Sequence, residues 1–160
     1  MNLDLRGKRA VVGGSTQGIG KASAIELALL GATVTLLSRN EQVLKSVLSE
    51  LPTPSNQIHN YLVADFNDPD QLKSVVQKFT STNTVHILVN NTGGPPAGPA
   101  LDATPEDFIR AFTNHLICNQ ILVQAVVQGM KQATYGRIIN IISTSVKVPI
   151  KGLGVSNTTR

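Results

Sequence analysis

The sequence predicts an α/β fold, a doubly wound parallel sheet with helices on both faces. Two observations carry that prediction. Short β-branched runs alternate with helix-period stretches along all 160 residues, a pattern that demands crossover connections and hence parallel strands. The first run is followed directly by a glycine-rich turn that opens a helix, Gly14-Ser-Thr-Gln-Gly18-Ile-Gly20.

The elements follow in order. Arg9–Gly13 is the first strand, and a helix is expected from Lys21 to Leu30, stopped by Gly31 as a C-terminal glycine stops helices. Thr33–Leu37 is the second strand. Asn40 or Glu41 to Leu51 reads as an amphipathic helix with Val43, Leu44, Val47, Leu48 and Leu51 on one stripe. Ile58–Ala64 is the third strand, and Asp68-Pro69 caps a helix that runs to about Ser81. Val85–Val89 is the fourth strand. A Gly- and Pro-rich loop, Asn90 to Pro99, separates it from a long helix capped by Thr104 and running from Pro105 to about Thr134. Arg137–Ile142 closes the set as the fifth strand.

Composition narrows the function classes. The chain is 41% hydrophobic and 15% charged, has no Trp, and is only 4% aromatic. An aliphatic core of this kind suits strands buried on both faces. The net charge of +4 comes without a basic run or stacking aromatics, which argues against nucleic acid and fits a surface with a mild preference for anionic ligands. A single cysteine, Cys118, excludes an internal disulfide and points to a reducing compartment. No stretch has the length of a membrane span, the first residues lack the apolar core of a signal peptide, and no metal-ligand spacing occurs. The expected location is the cytoplasm, the expected organisation one domain over residues 1–160.

The glycines have a physical task. Gly14 permits the tight turn, Gly18 lets the backbone approach a pyrophosphate, and Gly20 lets the helix pack closely on the strand; Ser15, Thr16, Gln17 and Ile19 complete the cradle. The helix start adds free N–H groups and a positive dipole end. The Gly-x-x-x-Gly-x-Gly spacing resembles the fingerprint of the short-chain dehydrogenase/reductase family, with Gly13 where that family usually has Thr. Asn90-Asn91-Thr92-Gly93, Asp65 with Phe66 after the third strand, and Gly136 to Ser143 match further family motifs in register. The resemblance covers the whole chain. It implies a Rossmann-type sheet, with Asp65 on the adenine amino group and Asn91, Thr92 and Gly93 along the cofactor. Within the family the sequence looks like a divergent branch resembling 3-oxoacyl-[acyl-carrier-protein] reductases.

Ser38 and Arg39 close the second strand. No carboxylate there repels a 2′-phosphate, and a guanidinium can bind one with charge-assisted hydrogen bonds. NADP(H) is therefore expected over NAD(H); Arg39 stacked on adenine is the competing reading. At the family's Ser, Tyr and Lys positions stand Ser143, Ser156 and Arg160, and the relay asparagine falls on His115, next to Asn114. The resemblance gives Ser143 the substrate carbonyl and makes Ser156 and Arg160 a replaced pair on one helix face. Arg160 can polarise an oxygen but stays charged, and Ser156 can bind the carbonyl or order a water donor. His115 could supply a proton; an ordinary hydrogen-bonded or surface histidine fits the same place. The expected function is NADP(H)-dependent oxidation or reduction at a carbonyl or secondary alcohol, nominally a 3-oxoacyl thioester. Nucleotide binding without redox turnover is the alternative. The family also implies some ninety further residues, so the sheet is expected to be C-terminally incomplete, and a parent that pairs into dimers or tetramers through the helix from Pro105.

Overall fold

In a computed structural model, which describes residues 3–160, five parallel strands form one sheet in the order β3-β2-β1-β4-β5. They are β1 (Arg9–Gly13), β2 (Thr33–Ser38), β3 (Asn60–Val63), β4 (Ile87–Asn90) and β5 (Arg137–Asn140). The connecting helices are α1 (Gly18–Leu29), α2 (Glu41–Glu50), α3 (Pro69–Thr80), α4 (Pro105–Phe112) and α5 (Cys118–Gln132), with a short α6 (Gly154–Thr159) after β5.

The alternation along each strand divides the core in two. Ala10, Val12, Val34, Leu36 and Val89 face α1 and α2, where Ala24, Ala28, Leu44 and Val47 complete one cluster. Val11, Leu37 and Leu88 face α3 and α5, against Leu72, Val76, Cys118, Leu122 and Val126. The order reverses between β1 and β4, so the carboxyl ends of these two strands diverge and leave a crevice, the usual ligand position in such sheets.

Several expected boundaries shift, each for a physical reason. Helix α1 begins at Gly18 rather than Lys21, so the glycine turn itself supplies the first helical N–H groups. Strand β3 starts at Asn60, not Ile58: Ile58 is 88% exposed, and the His59 side chain accepts the Val34 N–H through Nδ1, taking the place of a ladder carbonyl. Val43 lies outside the buried stripe of α2, which is carried by Leu44 and Val47. Strand β5 ends at Asn140, although Ile141 still donates to the Asn90 carbonyl. All four β5 residues are exposed, as expected for an uncovered edge.

The long helix is interrupted. Thr113–Ile117 forms a wide π-helical turn between α4 and α5, in which Cys118 N–H reaches back five residues to the Thr113 carbonyl. Such turns occur often at functional sites, and this one carries Asn114 and His115. The start of α4 is closed by a reciprocal capping box between Thr104 and Asp107. No helix among the described residues is long and apolar enough to cross a membrane.

Candidate functional site

A cleft of about 570 Å³ opens at the carboxyl ends of β1 and β4, within the range of ligand pockets. One wall is the glycine turn. Gly14 and Gly18 both adopt positive φ, 55° and 54°, where an L side chain is strained. A Cβ on Gly18 or Gly93 meets nothing within 4 Å, so both backbones lie bare toward the cleft. Gly20 is the opposite case: a Cβ there falls 2.2 Å from the Gly14 carbonyl oxygen and 2.8 Å from Asn91 Nδ2. Gly13 shares this crowding, since its Cβ comes within 2.7 Å of the Asn91 carbonyl oxygen, so a side chain there would force the backbone to shift.

Asn91 fastens the turn to β4. Its Nδ2 donates to the carbonyls of Gly13 (3.1 Å) and Gly14 (3.3 Å). Ser15 is turned away from the cleft. It is fully buried, and its hydroxyl accepts the Leu37 N–H at 3.0 Å, so its side chain clasps β2 and only its backbone is left for a ligand. Thr16 and Ser38 face each other, hydroxyl to hydroxyl at 3.5 Å, on the cleft rim. Arg39 is exposed beside them, and among the described residues no carboxylate pairs with it.

On the next strand end, Asp65 holds Asn67 by two hydrogen bonds of 2.9 Å, to its backbone and side-chain N–H groups. Asn67 in turn accepts from Asn114 Nδ2 at 3.0 Å. This chain from β3 to the π turn fixes the carboxylate that was expected at adenine. Sequence reasoning missed Asn67; the Asp-x-Asn spacing ahead of the Asp68-Pro69 cap was its only signal. It also missed Asp107 and Arg110, an ion pair on the first turns of α4 that lines the cleft.

The far end of the cleft is made by His115 and Arg160. Arg160 Nη1 donates to His115 Nε2 at 3.4 Å, which leaves the imidazole proton on Nδ1. Burial, and then the Arg160 charge, press the His115 pKa from 6.5 down to about 4. His115 is therefore neutral at physiological pH and holds no proton to give in the way expected of it. Desolvation also lowers Arg160. The helix face shared by Ser156 and Arg160 does not bring both to the cleft: Arg160 lines it, while Ser156 is 7% exposed and, like Ser143, stands outside the lining. The Ser143 hydroxyl accepts from the Ser145 N–H and Oγ, closing a 3-10 turn over Thr144–Val146. Cys118, deep beneath, donates to the Phe66 carbonyl and has its thiol pushed up to about 11 by burial and Asp65, which makes it an inert core residue.

The low pKa of His115 has a measurable effect on stability. In the unfolded chain a histidine takes up its proton near pH 6.5; in the folded chain His115 does so near 4. Between those values the unfolded state binds more protons, so folding stability is full above pH 6.5 and falls as pH drops toward 4. Denaturant melts across this window should decline for the native protein and decline less for His115→Gln. His86, also lowered by burial and then by Lys8 and Arg9, accounts for a residual slope. Equal slopes for both proteins would refute the buried neutral imidazole.

Two glycine backbones opening on one cleft, an unpaired cation at the β2 end and a fastened carboxylate after β3 fit a dinucleotide. Residues 8–158 match the family model for short chain dehydrogenase. The chain belongs to that family. An uncharacterized oxidoreductase of Staphylococcus epidermidis is 30% identical over 96% of the chain, which spans 65% of that relative's length. The human inactive hydroxysteroid dehydrogenase-like protein 1 is 33% identical over 89% of the chain, which covers 44% of that protein. Among solved structures, a 3-oxoacyl (acyl-carrier-protein) reductase of Agrobacterium tumefaciens with NADP bound superposes with a TM-score of 0.90 at 25% identity. That match covers 99% of this chain and 61% of the reductase. Like other short chain dehydrogenases the chain carries the parallel sheet and the glycine turn; a tyrosine and a lysine are absent from the cleft lining, where Arg160 and His115 stand.

Proposed function

We propose that the chain is the nucleotide-binding part of an NADP(H)-dependent oxidoreductase acting on a carbonyl or secondary alcohol, with a 3-oxoacyl thioester as the nominal substrate, in the cytoplasm. The observation that carries this reading is a single cleft with the bare glycine turn and the uncommitted Arg39 at one end and the Arg160–His115 pair at the other. The backbone N–H groups from Gly14 to Gly20, together with the N-terminal end of α1, receive the diphosphate. Arg39, with the Ser38 and Thr16 hydroxyls, receives the 2′-phosphate. Asp65 and Phe66 meet the adenine, and Asn91, Thr92 and Gly93 line the path onward. When bound, the reduced nicotinamide supplies the hydride.

The residues of the chain then have to orient the acceptor and manage one proton. Arg160 donates hydrogen bonds to the carbonyl oxygen and stabilises negative charge developing there. His115, neutral and with Nδ1 protonated, holds the guanidinium in place. Neither residue releases a proton at neutral pH, so solvent water in the cleft is the donor in this reading. The exposed stripe Ile109, Phe112 and Leu116 on α4 and the π turn (66%, 47% and 51% exposed) suits pairing with a second copy, as a dimer or tetramer.

A second reading has its own observation. The cleft lining contains no Tyr, Lys or Cys, and its one histidine stays neutral down to about pH 4, so it offers no imidazolium donor near neutrality. A nucleotide-binding protein without redox turnover needs none. NADPH oxidation by the full-length protein across acyl-thioester, sugar and keto-acid panels separates the two. Turnover with any of them is expected; binding of NADPH without turnover favours the second reading. The double change Ser156→Tyr with Arg160→Lys sharpens the outcome. If the native protein runs its own chemistry, the change should lower that activity at least tenfold, since transition-state hydrogen bonds to a charged group contribute about 1.5–3 kcal/mol. Activity appearing only in the double variant assigns the native protein to binding.

A further inference from the structure

At the opposite end of the sheet lies a second groove of about 530 Å³. Its composition breaks the rule for the rest of the fold. Strands of a parallel sheet covered on both faces are apolar throughout, and on the α3–α5 side the upper half obeys, with Val11, Leu37 and Leu88. The lower half of the same face does not. Register pairs Arg9 with Thr33 and Thr35 with Asn60, and all four line the groove together with Phe79 and Asn83.

Thr35 is the informative residue. It is 4% exposed, it lines the groove, and its hydroxyl has no hydrogen-bond partner among the described residues. That hydroxyl opens onto the groove and is not sealed in the core, although valine would fit a strand position equally well. The charge pattern adds a second indication. Arg6 at the rim is taken by Asp4, whereas Arg9 has no carboxylate partner among the described residues. Helix ends normally present carbonyls, and negative charge, at this end of a parallel sheet. Here amides cover two of them: Gln57 Nε2 donates to Ala28 at 2.7 Å, and Asn83 Nδ2 donates to Phe79 at 3.0 Å. The groove is left with an available cation and hydroxyl donors beside a half-buried phenyl ring.

We propose that this groove binds a small organic anion, its carboxylate or phosphate group on Arg9 and the Thr33 and Thr35 hydroxyls, its apolar part against Phe79. The site is separate from the cofactor cleft and does not depend on the redox reading. Amide resonances of the isotope-labelled full-length protein test it, with inorganic phosphate and benzoate as probes at constant ionic strength. The expected result is a saturable millimolar shift of Thr33, Thr35, Asn60 and Asn83 with at least one probe. A response to phosphate alone identifies a phosphate site; a stronger response to benzoate, extending to Phe79, identifies a carboxylate on an apolar body. Arg9→Gln should weaken this response about tenfold, the effect of one charge-assisted hydrogen bond, and leave phosphate shifts in the Gly14–Gly18 turn unchanged. Thr35→Val should weaken it about threefold while the melting temperature holds or rises. No saturable shift with either probe, or shifts indifferent to both substitutions, would overturn the site.

Discussion

Gly20→Ala is expected to cost about 3 kcal/mol of folding stability, at the upper end for overpacking. For a domain of this size that lowers the melting temperature by about 6–12 °C. The cause is local and steric: the added Cβ falls 2.2 Å from the Gly14 carbonyl oxygen, and backbone cannot rotate aside as a side chain can. Either α1 lifts from β1, or the turn that bonds to Asn91 opens. Gly18→Ala supplies the contrast. Its Cβ meets no atom, so stability should fall only by the strain of a positive φ, about 1–2 kcal/mol. Its nucleotide affinity, however, should collapse, because the methyl group stands where the diphosphate must approach. Thermal melts and NADPH titrations of the two variants separate a packing glycine from a contact glycine. A Gly20→Ala protein melting with the native one would show that α1 is free to move from the turn.

Arg39→Glu is expected to weaken NADPH binding roughly 100-fold while changing NADH affinity little, from the loss of hydrogen bonds to a charged group at about 1.5–3 kcal/mol. The reversed charge also repels a 2′-phosphate while accepting from a 2′-hydroxyl. Arg39 has no competing carboxylate among the described residues, so its charge is not already spent within the fold. Paired NADPH and NADH fluorescence titrations measure the ratio directly. Native protein that binds NADH more tightly would remove the basis for an NADP(H) enzyme, and an unchanged ratio in the variant would place Arg39 on the adenine face instead.

Much of this architecture was legible in the residues because the signals were local. Strand, glycine turn and helix occur consecutively, and Pro69 with Asp68, or Pro105 with Thr104, mark helix starts by capping chemistry alone. The parallel direction of the strands follows from the crossover connections, whereas their order is set by the packing of the helices. What escaped were features set by atoms distant in sequence. His59 replaces a ladder acceptor on β2 and so shortens β3. The π turn depends on which carbonyl Cys118 N–H selects, a choice that helical periodicity does not encode. Ser15 looked like part of a phosphate cradle, but its hydroxyl serves Leu37, 22 residues away. Ser156 lies in α6 and Arg160 at its C-cap, yet packing buries the serine and leaves the arginine on the cleft. The neutral state of His115 required knowing that Arg160 lies beside it, 45 positions later.

The loop after β4 and the start of α6 are stitched together. Gly98 N–H donates to the Gly152 carbonyl at 2.6 Å and the Gly98 carbonyl accepts from Gly154 N–H at 2.9 Å, while Gly154 lies so close to Ala100 that any Cβ would collide with it. Pro95 and Pro96 of that loop form part of the cleft wall, and Arg160 follows directly on α6. The wall and the guanidinium thus form a single leaf. A substitution at Gly154 would therefore disturb the proline wall and the guanidinium together.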